Sequence, residues 1–259
     1  MPEFSRSEPV TLSLRLHRGH AEVHAEETDT ITVTVSGDDD RFHVELDGDV
    51  LIVHAPERSG VGRWRSPRTG VLVRVPAGSA VAAQVPAADV ELRGRYSTVR
   101  VDASSATITL DTATGDAHLK TTSGDVEVGQ VGGALSAGSG SGQVRIGDVT
   151  GDVIAHSSSG AVRIGSAAGS VRAGSSSGDV EIGALRSGRA DLKTSSGDVT
   201  VGVVAGTSVW LDLTTSSGRT NSDLPMTGAP AGGAAALELR ATTASGDISV
   251  RRAVGRVAA

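Results

Sequence analysis

The side chains that could carry chemistry in this sequence recur with the spacing of its turns. Asp125, Asp179, Asp198 and Asp247 each follow a serine–glycine pair. Aspartate at fixed offsets in consecutive glycine-rich turns is the ligand pattern of calcium-binding repeats, where hard carboxylate oxygens surround one ion. Gln143 and Ala161 hold the same place in the intervening turns and interrupt any such ladder. The expectation is therefore that each Asp caps its own turn by accepting from nearby backbone N–H groups, and that no metal or other cofactor is bound.

The remaining candidates are weaker. His17, His20 and His24 lie close in sequence but flank a turn and a short strand, so they read as surface positions. Gly138-Ser139-Gly140-Ser141-Gly142 has the composition of a phosphate cradle, yet no helix follows to supply an N-terminus for the anion. Ser, His and Asp are all present, but nothing marks a nucleophile elbow, so no catalytic residue is assigned. One stretch stands apart. Arg58, Arg63, Arg65 and Arg68 surround Trp64 in an otherwise strand-free segment, the densest cationic cluster of a chain whose net charge is −6. Guanidinium pairs with phosphate or carboxylate, and tryptophan sits at membrane interfaces. The cluster is read as a contact for an anionic envelope surface or acidic protein partner, against the plainer reading of a solvated loop. Trp210, the other indole, falls outward between inward Val209 and Leu211 and is expected either to meet a partner or to lie under the loop 222–236.

The elements that would position these residues follow from a recurrence. A glycine or small residue returns every nine positions from Ser79 to Gly178, and one inserted residue shifts it to Gly188 and Gly197. After each marker comes an apolar–polar–apolar triplet, clearest in Val126-Glu127-Val128, Val144-Arg145-Ile146, Val162-Arg163-Ile164 and Val180-Glu181-Ile182. Period-two alternation means a short strand with one face inward, and its fixed recurrence means a solenoid, since no lone strand buries that face. Alternate markers differ: Ser158-Ser159-Gly160 is hydroxyl-rich, Ala167-Ala168-Gly169 is not. The coil is therefore 18 residues, two strands and two turns. Its glycines are expected to supply positive φ at the corners, and its hydroxyls to bond turn backbone or one another up the stack. Markers from Ser79 to Gly246 predict 18 strands, hence nine coils and a rod roughly 40 Å long at ~4.8 Å per coil.

The fold class is thus all-β, a β-solenoid over residues 79–259. An N-terminal β-strand cap over 1–78 covers the first coil and carries the Arg-rich loop 56–70. Asn221 to Ala236, rich in Pro, Gly and Ala, reads as a loop before the last coil, Leu237 to Val250. Aromatic residues are only 2% of the chain, as a narrow slot repeated in every coil requires, because a ring would push neighbouring coils apart. The acidic balance gives no field suited to nucleic acid. Cysteine is absent, so disulfides and thiolate metal sites are excluded. Met1 to Leu16 lacks an apolar core behind a basic segment and no run of 18 apolar residues exists, so neither a signal peptide nor a transmembrane segment is expected. The location expected is cytoplasmic, at most peripheral to the inner membrane face.

The opening Met1-Pro2-Glu3-Phe4, the recurring SGDVEV and SGDVTV units, the run Ser208 to Thr215 around Trp210 and the close Arg240 to Arg252 resemble one family. This is the β-strand-repeat family of candidate adhesins, domain of unknown function 4097, in its actinobacterial branch. The resemblance covers nearly the whole chain. It implies a β-solenoid, no catalytic residues to carry over, and an association with cell-envelope stress. Gln143, Ala161 and Arg219 depart from the unit where Asp is usual. Three function classes follow: a non-catalytic adhesin-like interaction scaffold, which is preferred; a self-assembling structural β-helix; and a carbohydrate-acting β-helix enzyme, which would need clustered acids and stacking rings that the outward positions lack. Charges and irregularity at the C-terminal edge predict monomers or small oligomers.

Overall fold

In the computed structural model, residues 2–36, 42–56, 69–224 and 235–253 are described, and every regular element among them is a strand. The strands form two sheets, of 13 and 12 members, whose inner faces share one core. From Ala80 onward successive strands alternate between the sheets, and as far as Val180 pairing is parallel with the equivalent strand 18 positions away: Val126 with Val144, Val144 with Val162, Val162 with Val180. The stretch from Ala80 to Arg252 contains 18 strands, as the nine-residue recurrence requires. Val144, Ile146, Val162 and Ile164 are buried, while Arg145 and Arg163 lie on the outer face. The inserted residue before Gly188 is absorbed locally. Pairing steps to 19 positions (Val171 with Ala190), the register shifts between Ile182 and Leu185, and Gly188 takes φ +88.

The corner glycines answer a different need from the one expected. Gly142, Gly160, Gly178 and Gly197 have no left-handed φ. A Cβ on any of them would instead sit 1.9 to 2.2 Å from the carbonyl oxygen of the glycine one coil earlier. They are glycines because backbone stacks on backbone there, and only Gly124 (φ +134) in this column also needs the left-handed region.

The two ends depart from sequence order. Thr11–Arg15 and Arg18–Glu26 stack directly on Ala80–Val85 and Ala87–Tyr96. Val50–His54 and Thr69–Pro76 stack on their far side, so the first coil in sequence lies second in space. Three antiparallel strands finish this end: His43–Asp47, Thr30–Ser36 and, beyond the latter, Glu3–Ser5. The other end mirrors the exchange. Leu237–Ser245 and Ile248–Arg252, expected to close the rod, are inserted against Gly188–Lys193 and Val199–Val203. Val209–Ser217 and Thr220–Ser222 lie outside them. The reason is composition. Leu237, Leu239, Ala241, Ile248 and Val250 all point inward and suit a coil covered on both sides, whereas Thr220 and Ser222 would be wasted there.

One ring contradicts the expected exclusion of aromatics. Tyr96 is fully buried at a corner slot, followed in the stack by Ala113, whose small side chain leaves it room. Its hydroxyl donates to the Val23 carbonyl at 2.7 Å, tying the metred coils to the N-terminal strands, and burial pushes the phenol above its ordinary pKa.

Candidate functional site

The recurring polar groups form two structural ladders. Inside, one hydroxyl per coil is buried: Thr121, Ser139, Ser157, Ser175, Thr194 and Thr243. Each donates to a corner carbonyl of the preceding coil, as Ser139 to Gly124 (2.8 Å), Ser157 to Gly142 (2.8 Å) and Ser175 to Gly160 (2.9 Å). The same oxygens accept from the amides of Gly142, Gly160 and Gly178 at 2.8, 3.0 and 2.9 Å. Ser139, Ser157, Ser175 and, by the same pair of bonds, Thr194 each thus satisfy two backbone groups that the tight corner removes from water.

Outside, the aspartates act between coils, which corrects the expectation that each caps its own turn. Asp125 Oδ1 accepts from the Gln143 amide at 2.8 Å, Asp179 from Asp198 at 3.0 Å, Asp198 from Asp247 and Asp247 from Arg219, both at 2.8 Å. On the opposite turn Asp116 and Asp152 do the same for Ala134 and Ser170. A carboxylate spent on the neighbouring coil's amide has less to offer an ion. Among the described residues no group of three His, Asp or Glu side chains is arranged to hold a metal.

What remains for recognition is two broad outer faces. On the 13-stranded sheet Glu127, Arg145, Arg163, Glu181 and Thr200 stand in one row. Arg145 pairs with Glu127 at 2.8 Å and Arg163 with Glu181 at 3.5 Å. The adjacent arginines are bridged by Gln143, whose Oε1 accepts from Arg145 at 2.7 Å and Arg163 at 3.1 Å. That role accounts for Gln143 where aspartate is usual, and the sequence alone did not signal it. On the 12-stranded sheet Ser136, Ile154, Arg172 and Asp191 align as expected, and the row continues through Arg240 to Asp212. Here a shallow groove of about 620 Å³ is floored by Ala80, Ala82, Ser136 and Ile154 and bordered by Arg100 and His118. Ile154 is 51% exposed.

The histidines do not converge. His20 and His24 both lie within Arg18–Glu26, and the His24 hydrogen bond at 2.7 Å is the main cause that lowers the Glu22 carboxyl below its usual pKa. His54 contacts the Ser13 hydroxyl at 3.1 Å, and burial, then Arg15 and His43, lower its imidazole pKa. Trp210 points outward from Val209–Ser217 and is 47% exposed beside Glu238, itself held by Arg189 at 2.9 Å. Arg58, Arg63, Trp64, Arg65 and Arg68 lie outside the described residues. The strands that flank them, Val50–His54 and Thr69–Pro76, belong to the outer coil of the N-terminal end.

Residues 11–251 match the family model described as Toastrack DUF4097. Two solved structures are similar. One, a candidate adhesin from Bacteroides fragilis, is 13% identical with a TM-score of 0.49, covering 96% of this chain and 95% of that one. The other, a candidate cell adhesion protein from Clostridium sporogenes, is 10% identical with a TM-score of 0.23, covering 97% and 99%. No curated protein matches the sequence.

Proposed function

The chain belongs to the Toastrack DUF4097 family, and from that premise we propose that it is a non-catalytic, adhesin-like scaffold whose outer faces recognise a partner at the cell envelope. One observation carries this reading: the residues that recur through the rod, and would be first choices for chemistry, are engaged in holding coil to coil. Ser157, Asp125 and their equivalents each satisfy backbone of a neighbouring coil. The surface left over is long, shallow and ion-paired, suited to a macromolecule rather than to a small substrate, for which a concave apolar pocket is usual. The process it serves is the response to envelope stress, and its place is the inner face of the membrane.

The Arg-rich segment supplies the contact with that surface. Each basic residue near anionic lipid contributes roughly 1 kcal/mol, so the four arginines give weak, salt-sensitive attachment. The test is co-sedimentation with phosphatidylglycerol-containing vesicles, comparing wild type with a variant in which Arg58, Arg63, Arg65 and Arg68 are all serine. Wild type should sediment at low salt and the variant should not. Equal binding by both, or none by wild type, removes the envelope contact from the proposal.

A further inference from the structure

The two ends of the rod are finished differently. At the N-terminal end the edge strands are antiparallel and short, Glu3–Ser5 in one sheet and His43–Asp47 in the other, and His43, Glu45 and Asp47 project from the latter. Short charged edges resist pairing with another chain. At the C-terminal end the 12-stranded sheet stops at Val209–Ser217, nine residues long, with no further strand among the described residues. The Leu237 amide donates to the Ser208 carbonyl at 3.1 Å. By the alternation of a strand, the amides and carbonyls of Val209, Leu211 and Leu213 therefore face away from the sheet. The inward side chains of this coil are also incompletely covered. Val209, Leu211 and Leu213 are partly buried, whereas their register partners Leu237, Leu239 and Ala241 are fully so. Trp210 is exposed on the same strand.

We propose that this edge is the interface of a tail-to-tail homodimer, in which Val209–Ser217 of two copies pair antiparallel about a two-fold axis at Leu213. A two-fold axis makes the contact self-complementary, with Leu213 opposite the partner's Leu213, and Leu211 opposite the partner's Thr215. The hydrogen-bonded pairs then fall on Leu211 and Leu213, whose backbone groups face away from the sheet. An axis one residue earlier would set Asp212 directly against its own copy, and like charges directly opposite are destabilising. The closed symmetry consumes the one long edge among the described strands and leaves the short charged edges outward, so assembly ends at two copies and the self-stacking filament is not formed. The end of such a rod is only about 25 Å by 10 Å. Its few hundred Å² fall well below the ~800 Å² per partner of stable complexes, so dissociation in the micromolar range is expected.

Sedimentation velocity of the full chain from about 1 to 300 µM should show reversible monomer–dimer exchange with nothing larger. Leu213→Pro removes an amide that faces away from the sheet, so it should abolish the dimer, while the loss of one partly buried side chain lowers the thermal midpoint modestly and leaves the circular dichroism spectrum that of the folded rod. The chain has no cysteine, so Leu213→Cys provides a second readout. Under mild oxidation it should cross-link two copies rapidly, while Ser158→Cys, exposed in the middle of the rod, should not. A monomer at every concentration, open-ended growth, or equal cross-linking of the two cysteine variants would each overturn the proposal.

Discussion

Removing one rung of the buried hydroxyl ladder tests whether that ladder, and not valine packing alone, holds the coils in register. Ser157→Ala deletes an oxygen that donates to the Gly142 carbonyl at 2.8 Å and accepts from the Gly160 amide at 3.0 Å. Two net hydrogen bonds are worth roughly 1 kcal/mol each, and stranding a buried donor and acceptor adds to that, so the expected loss is about 2–4 kcal/mol. Ser157→Thr should be mild, because Thr194 holds the same slot with both bonds and Thr121 and Thr243 hold it with the donated one. Ser158→Ala, one residue on and exposed, should stay within about 0.5 kcal/mol. The assay is urea unfolding followed by circular dichroism, with hydrogen exchange at the Gly160 amide as a local readout. If Ser157→Ala costs no more than Ser158→Ala, or if Ser157→Thr is as damaging as Ser157→Ala, the hydroxyl is a passenger and the reasoning fails.

Three further outcomes are expected. Val162→Asp buries an unpaired charge and should cost about 4 kcal/mol or more, whereas Arg163→Asp on the outer face should shift stability by about 1 kcal/mol or less; equal shifts in the thermal midpoint would mean the inward register is wrong. Gly160→Ala places a Cβ 2.1 Å from the Gly142 carbonyl and should be severely destabilising, while Gly138→Ala, whose nearest neighbour is 3.8 Å away, should be tolerated, as differential scanning calorimetry would show. Because His54 titrates below its ordinary 6.5 when folded, the unfolded chain takes up that proton first on acidification. Stability from this group is complete above pH 6.5 and is lost as pH falls through the folded value, so His54→Gln should flatten the acid limb of a denaturation midpoint–pH curve. An unchanged slope would remove His54 from the account.

The parts of the fold that depend on one strand's own pattern were legible from the sequence. Val162-Arg163-Ile164 alternates, so its inward and outward faces could be assigned, and the fixed 18-residue interval set which residues stand above one another. What depended on which coil meets which was not. A repeat makes every coil look alike, so an aspartate capping its own turn and one capping the next coil, as Asp125 caps Gln143, leave the same trace in the sequence. Gly160 likewise reads as a turn glycine until the Gly142 carbonyl is seen above it. The exchanged end coils were hidden because strands such as Thr11–Arg15 lack the nine-residue metre that would have aligned them. On the surface, Trp210 was correctly read as outward, but the bridge Gln143 makes between Arg145 and Arg163 depends on side-chain reach that spacing does not encode.

The exchange of coils at the C-terminal end has a consequence for how the rod resists degradation. In an ordinary stack the first and last strands of the chain are also the outermost, so fraying presents a loose end to an exopeptidase. Here the first strand, Glu3–Ser5, is an outer edge, but the last, Ile248–Arg252, lies beneath an outer coil. The coil that frays first at the C-terminal end is 209–222, and it is tethered on both sides, through residue 203 and through residue 237. When it opens it forms a closed loop of roughly 30 residues, whose ends stay close and whose re-docking loses little entropy. A protease that reaches Ile248–Arg252 from its C-terminal side must therefore begin on a strand already clasped by its neighbours, and the most easily opened coil at that end offers only internal bonds to cut.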